Sequence, residues 1–457
     1  MTISATRTQL VWSPLLGWIL LSCVAAVAQA QDPTASPAAQ TLQEQTPQVD
    51  IPAIPGSSSP DAGTTAGGGG GSTSGEVGIS IGAFTLYPAL EILAGYDTNV
   101  SATPAPTVGS MYTLITPALE LKSEWLRHEL RVIANGGFGF YPTAASQNYQ
   151  NYLVQVDGRL DIREDFYATG LVAVRRATEA LGTPNTEFAT APTVVDTIPV
   201  EFSLYQRFNR FFYRATVAGT RYWYYDNSII AVGGLPAASR DRIEYEERVR
   251  LGYELSEDVS LWVQPSLQQR VYDIFINAAG QARDSTGWGV NLGATVSVGK
   301  KSKLEGFIGY QTLSYIADGS STPATVFGLS GSWNGYEPLT IRPSISRTIN
   351  ESAYSSYQNY VSTTVGVDFS YIIHDAWTAV GGTSINAADY NPAAGVANVS
   401  ARTDYFWKAS VGLLYSFRPQ LSIGPLYEHT TGWTTDPNSG GPQYSRDQIS
   451  IRLVARR

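Results

Sequence analysis

The sequence predicts an all-β fold: a transmembrane, antiparallel, up-and-down β-barrel of about 18 strands, preceded by a disordered N-terminal tail. Three observations predict it. From residue 84 onward apolar and polar side chains alternate with a period of two. The connections between alternating segments are short and long by turns. Only 15% of residues are charged, against about 25% in a soluble domain, while 11% are aromatic.

The first 30 residues have the pattern of a cleavable signal peptide. Arg7 is their only charge, an apolar run extends from Leu10 to Ala28, and the small-x-small triplet Ala28-Gln29-Ala30 closes it. Such an apolar run is long enough in principle to anchor in a membrane, but Pro14 interrupts it and the triplet offers a cleavage site, so export is the expectation. Leu20-Leu21-Ser22-Cys23 loosely resembles a lipidation box, which leaves lipidation of Cys23 as the competing reading. Residues 31–75 follow as a Pro/Gly/Ser-rich periplasmic tail. Six prolines and the run Gly67 to Gly71 leave too little apolar area to offset chain entropy. No Gly-Lys-Ser/Thr follows that run, so it is a linker rather than a phosphate loop.

Residues 84–457 are expected to form the outer-membrane barrel. Tyr152, Val154, Val156, Leu160 and Ile162 alternate with Leu153, Gln155, Asp157, Arg159 and Asp161. Trp288, Val290, Leu292, Ala294 and Val296 alternate with Gly289, Asn291 and Thr295, and Tyr405, Trp407, Val411 and Tyr415 repeat the pattern. Eighteen such segments run from 84–96 to 443–456. Tight turns at Arg163-Glu164, Asn209-Arg210, Ser256-Asp258, Gly299-Lys301, His374 and Pro419 alternate with long connections near 97–110, 180–195, 227–240, 273–283, 390–399 and 433–442. Short turns on one side and longer loops on the other describe a Gram-negative outer-membrane barrel.

Eighteen strands enclose a lumen too wide for side chains to fill, so the apolar row must face lipid and the polar row must face water. Three charges break the apolar row: Arg221, Glu247 and Arg347. Each lies about nine or more residues from its tight turn, where a spanning strand of about 9–11 residues is already ending. They belong at the outer rim, where the cost of a lipid-facing charge falls to about 0–1 kcal/mol. Tyr222 to Tyr225, Tyr354, Tyr357, Tyr360 and Tyr405 to Trp407 gather at the loop ends and are expected to form an aromatic girdle.

The inward rows supply the pore-lining candidates Arg131, Arg159, Arg207, Arg214, Arg242, Glu244, Glu246, Arg248, Arg250, Arg270, Arg342 and Asp404. Opposed charges across a wet lumen would tune ion preference; equally, they could be cross-strand pairs that brace the wall. Arg242 to Glu254 is the densest run.

Composition excludes other classes. A net charge of −9 argues against nucleic acid as a partner, and one cysteine cannot make a disulfide framework or a zinc site. Three histidines, His128, His374 and His429, have no evident nucleophile beside them in sequence. Asp97 and Asn99 could hold calcium, but a strand-ending turn explains them as well. No catalytic, cofactor-binding or metal residues are assigned.

Gly95-Tyr96-Asp97-Thr98-Asn99-Val100, the hairpin Pro117-Ala118-Leu119-Glu120-Leu121 to Arg127-His128-Glu129-Leu130, and Gly252-Tyr253-Glu254-Leu255-Ser256 give residues 84–456 a resemblance to a family of bacterial outer-membrane barrels, putative β-barrel porin 2. The resemblance implies an outer-membrane location and a channel role and offers no catalytic residues. The chain departs from many such barrels by ending in Arg457 rather than an aromatic residue. The expected function is therefore a porin-like channel for passive diffusion of small hydrophilic solutes. An outlet or anchor for polysaccharide export, or a plugged structural or adhesive barrel, are the alternatives. Expected partners are outer-membrane lipid, the barrel-assembly machinery and small solutes or ions; self-association into a homo-oligomer stays open.

Overall fold

The computed structural model describes residues 78–457 except 187, 188, 190, 226–233, 278, 279, 300, 301, 394, 395, 397, 398 and 437–439. The expected signal peptide and the tail at 31–75 lie outside the described residues. The strands are β1 (Ile79–Ile81), β2 (Phe84–Asp97), β3 (Ser110–Ser123), β4 (Glu129–Phe140), β5 (Tyr149–Arg163), β6 (Phe166–Glu179), β7 (Thr193–Phe208), β8 (Phe211–Tyr225), β9 (Arg242–Glu254) and β10 (Val259–Tyr272). They continue as β11 (Ser285–Val298), β12 (Ser302–Tyr315), β13 (Ser321–Tyr336), β14 (Leu339–Glu351), β15 (Tyr357–His374), β16 (Trp377–Pro392), β17 (Arg402–Arg418), β18 (Leu421–Thr434) and β19 (Tyr444–Arg456).

Each strand from β2 to β19 pairs antiparallel with the next, and β19 returns to β2, with Gln448 opposite Asp97 and Arg456 opposite Ala89. The eighteen strands thus close into a barrel, as the alternation predicts. Closure matters because in lipid an open edge would leave backbone groups without partners. The sequence reading missed β1, which is too short to show a period. Its three residues pair with Leu86 to Phe84 of β2, on the stretch that β19 does not reach.

Connections sort by side. Two residues join β5 to β6, β7 to β8, β13 to β14, β15 to β16 and β17 to β18, whereas the connections at the opposite end are mostly longer. Asn209, with φ 56°, illustrates the tight end, since asparagine tolerates the left-handed region that such turns need. Both chain ends of the barrel lie on the tight-turn side.

The two faces separate as the alternation requires. Val290 and Leu292 are 38% and 59% exposed on the outside, as are Val154, Val156, Leu160, Val411 and Ile451. At about 25 cal/mol per Å², such surface is stable only against acyl chains. The opposite face carries the polar and charged side chains.

The expected girdle holds only in part. Tyr225, Trp407 and the stacked pair Tyr405 and Trp433, ring centroids 5.2 Å apart, belong to the outer row. Tyr222, Tyr224, Tyr354, Tyr357, Tyr360 and Phe406 instead point inward and are buried. Consecutive residues on a strand face opposite sides, so a run of adjacent rings cannot form one belt. Two of the three charges on the apolar row are seen paired: Arg221 with Asp273, and Arg347, which donates to Thr363 and lies 3.5 Å from Asp389. Both pairs are near the loop ends of their strands.

Candidate functional site: the inner wall and the mouth of the barrel

Cross-strand register, together with i, i+2 spacing along single strands, brings the inner charges into pairs. Arg131 donates to Asp157 through Nε and Nη2 at 3.0 and 3.3 Å, and Arg159 donates to Asp161 at 2.7 Å. Arg207 reaches Asp165 at 2.8 Å and Glu254 at 3.6 Å. Arg248 bridges Glu201 on β7 and Glu246 on its own strand, both at 2.7 Å. Arg250 donates to Gln264 at 2.8 Å and to Glu305 at 3.1 Å. Arg214 donates to the Tyr167 hydroxyl at 3.2 Å, and Asp404 is held by Arg402 at 2.8 Å. Arg242, Arg248, Arg250, Arg270 and Asp404 are nearly inaccessible, while Arg342 and its register partner Asp368 are exposed.

Aromatic rings brace several of these arginines. Arg159 lies 4.0 Å from the centre of the Tyr167 ring and Arg250 lies 3.7 Å from that of Trp262. Tyr167, Tyr205 and Phe212 form one stack, with centroids 4.7 and 5.8 Å apart. Trp262 meets Phe307 at 6.2 Å and lies flat across Gly293 of the next strand, where a Cβ would come within 2.2 Å of its ring. Only glycine leaves room there. The inner rings therefore stand in separate groups. Trp333 pairs with Ile341 in the row of the outward pair Leu329 and Ile345 and adds nothing to these groups.

A second assembly, which sequence reasoning missed, spans the loop end. The connection between β8 and β9 contains the short turn Ala237–Arg240. Arg240 donates to both oxygens of Glu179 at 2.8 and 2.9 Å and to both oxygens of Glu351 at 3.0 and 3.2 Å. Glu179 ends β6 and Glu351 ends β14, eight places apart in the ring of eighteen, so one guanidinium links nearly opposite walls. Arg283 adds a bond to Glu351 at 2.9 Å, and Arg242 stands 3.8 Å from it. Burial alone would lower the Arg240 pKa, but Glu179 and Glu351 raise it well above the usual arginine value.

The connection between β6 and β7 crosses as well. Asn185 receives the Ala353 N–H at 3.1 Å and donates to the Glu351 carbonyl at 3.0 Å and, through its N–H, to the Tyr390 hydroxyl at 3.1 Å. The Tyr444 hydroxyl donates to the Gly182 carbonyl at 2.6 Å. These loops and the tip between β14 and β15 lie across the mouth. Alternation carries no trace of this, because it depends on how loops fold back.

Other candidates resolve locally. Asp97 accepts from Arg446 and Gln448 across the joint between β2 and β19; the Asn99 amide NH2 donates to the Ser445 and Thr103 carbonyls, and its oxygen accepts from the Thr103 N–H. His128 in the β3–β4 turn and Asp161 on β5 clasp each other's backbone N–H at 2.9 and 3.0 Å. His429 bonds Asp447 at 2.8 Å on the outer face.

A closed barrel with an apolar exterior, a charged interior and loops folded over one mouth is a bacterial outer-membrane barrel of the porin type. The chain belongs to the family described as putative β-barrel porin 2, whose model matches residues 73–457. No curated protein matches the sequence. Among solved structures it is similar to OpdO of Pseudomonas aeruginosa, at 13% identity over 81% of this chain and 97% of that one, with a TM-score of 0.42. It is also similar to opdK of the same organism (12%, 81% and 98%, 0.43). A BenF-like porin from Pseudomonas fluorescens Pf-5 compares at 10% identity, 82% and 98% coverage and a TM-score of 0.42. Family and fold support a place in the outer membrane and a channel rather than an enzyme.

Proposed function

We propose that the protein is a channel for passive diffusion of small hydrophilic solutes, exported by the signal peptide at 1–30 and carrying residues 31–75 as a periplasmic tail. The barrel-assembly machinery would insert it, and the inner-wall candidates from Arg131 to Asp404 would line its path. The observation that carries this reading is the exposed inner surface around Arg342, Ser344 and Asp368, below the closed mouth. Residues that face a dry, filled interior could not be exposed there. A polysaccharide outlet would be favoured by a continuous aromatic track, and the inner rings instead form separate groups, with Trp262 covered by Arg250.

The clamp at the mouth favours one rival, a barrel plugged for good. Purified protein in planar bilayers separates the two readings. A channel gives stable unitary current steps in potassium chloride, and a bilayer that stays silent over repeated insertions overturns the proposal.

A further inference from the structure

Above the pair Phe327 and Arg347, the ladder between β13 and β14 ends. β13 extends to Ser321 paired with β12 alone, and β14 extends to Glu351 paired with β15 alone. The freed hairpin end turns into the barrel. By alternation Ile349 and Val361 share the outward row of Ile345 and Val365, yet they are buried against Leu313, Tyr315 and Ala324, which face inward. Asn359 donates to the Tyr315 and Thr322 hydroxyls at 2.7 Å, and Arg270 of β10 donates to the Ile349 carbonyl at 3.0 Å. A piece of the wall has become the occupant of the mouth.

Its last strand residue is Glu351, whose carboxylate meets Arg240, Arg242 and Arg283, all from the β8 to β11 side of the barrel. The same hairpin supplies the Ser352 and Gln358 carbonyls to Arg283. If the hairpin withdraws, Arg283 loses all of these partners, Arg270 loses its carbonyl, and Arg240 keeps Glu179 and the face of Tyr224 among the described residues. Arg270 Nε makes no hydrogen bond among the described residues even with the hairpin in place, and its ion partner is Glu244 at 3.5 Å. Several guanidiniums would then stand with unmet donors, an arrangement suited to a planar carboxylate.

We propose that Glu351 is the tethered occupant of an anion site, that the β14–β15 hairpin end is a gate, and that small organic carboxylates open it by competing with Glu351 for Arg240, Arg242 and Arg283. The proposal rests on the channel reading and names the solute class that the mouth prefers.

The test is single-channel recording on the full chain, with sodium propionate as probe and equal sodium chloride as control. Gly234 and Tyr354 form an isolated antiparallel bridge between the β8–β9 connection and the hairpin tip. Bridge partners lie within disulfide reach, so Gly234→Cys with Tyr354→Cys should staple the gate shut. Oxidised protein should be silent and dithiothreitol should restore the steps. Glu351→Gln should raise the open fraction about tenfold, roughly what a hydrogen bond to a charged group is worth. Propionate should raise the open fraction of the unaltered protein more than chloride does, and this excess should shrink in Glu351→Gln. Current indifferent to an oxidised staple overturns the gate and leaves the channel standing. Propionate no better than chloride overturns the anion site. Silence from every form, the reduced staple included, overturns the channel reading and this proposal together.

Discussion

Arg446 of β19 donates through Nε to Asp97 of β2 at 2.8 Å, across the joint where the last strand meets the first. Asp97 is fully buried and also accepts from Gln448 at 2.8 Å. Lower on the same joint Arg452 donates to Glu91 at 2.8 Å. The segment Gly95 to Val100, which carries part of the family resemblance, is thus a closure device. Asp97, Thr98 and Asn99 all bond to β19 or to the residues that begin it.

Asp97→Ala would leave a buried guanidinium without its carboxylate. Breaking a buried pair in this way costs about 3–5 kcal/mol. The variant should lose its heat-resistant fast migration on gels at a lower temperature than the unaltered protein, whereas Glu120→Ala should not. Glu120 is the more exposed member of a 3.9 Å pair with Arg131, and exposed pairs are worth about 0–1 kcal/mol. Equal transition temperatures for the two variants would contradict the assignment of the joint.

Strands, turns and facing were legible because two solvents, lipid and lumen water, impose a period of two on each strand. Other features were not. The alternation gives the face of Tyr222 and Tyr360 but not whether a ring there meets headgroups or other rings. It places Glu351 in the row of Arg347, outside, because it cannot register that the ladder stops at Phe327 and the hairpin turns inward. Arg240 and Glu351 lie 111 positions apart, joined only by the folding of loops. The charged runs were visible as charge, whereas their pairing, Arg248 with Glu201 or Arg250 with Glu305, needed the register of three or more strands.

Depth should govern the cost of lipid-facing charge. Leu292 is exposed at the middle of β11, so Leu292→Arg should destabilise the folded barrel by about 2–4 kcal/mol. Arg221→Leu removes a rim charge paired with Asp273 and should change stability by no more than about 1 kcal/mol. Folding titrations in denaturant with lipid vesicles measure both, and equal effects would place the lipid boundary wrongly.

Two loop carboxylates should make the mouth respond to pH. Burial raises the pKa of Asp284 in the connection before β11, although its bond from the Tyr272 N–H at 2.8 Å opposes the shift. Asp241 is raised for the same reason, against its bond from Tyr224. A carboxyl whose folded pKa lies above its unfolded value gives its full stability below the unfolded value, about 3.9, and loses it as pH rises through the folded one. Asp284→Asn keeps the acceptor for Tyr272 and removes the half-buried charge. Its melting temperature should exceed that of the unaltered protein at pH 7, and the difference should fade as pH falls through the raised folded pKa and be gone below about 4. A difference that grows on acidification has the wrong sign.

Trp262 tests whether the inner wall is braced by ring-on-glycine contacts. A Cβ at Gly293 would lie 2.2 Å from the Trp262 ring, which in turn supports the Arg250 guanidinium at 3.7 Å. Gly293→Ala must displace the ring, and overpacking of this kind costs about 1–3 kcal/mol. If Arg250 moves with it, single-channel conductance changes together with stability. Gly299→Ala is the contrast: a Cβ there meets nothing, and only its positive φ of 63° is strained, so stability should fall without a change in conductance.

Arg342 offers the most direct reading of the lumen itself. It faces Asp368 across the β14–β15 ladder, both side chains exposed on the inner row, away from the clamped mouth. A charge that moving ions pass within a Debye length, about 8 Å at physiological salt, alters their relative permeation. Arg342→Glu places two carboxylates side by side and should shift the reversal potential in a potassium chloride gradient toward the potassium limit. Asp368→Asn should shift it the opposite way by a smaller amount, because one negative charge is removed rather than a positive one reversed. The shifts should shrink at 1 M salt, where the Debye length falls to about 3 Å. Reversal potentials identical in all three proteins at low salt would mean that ions do not pass this face of the wall.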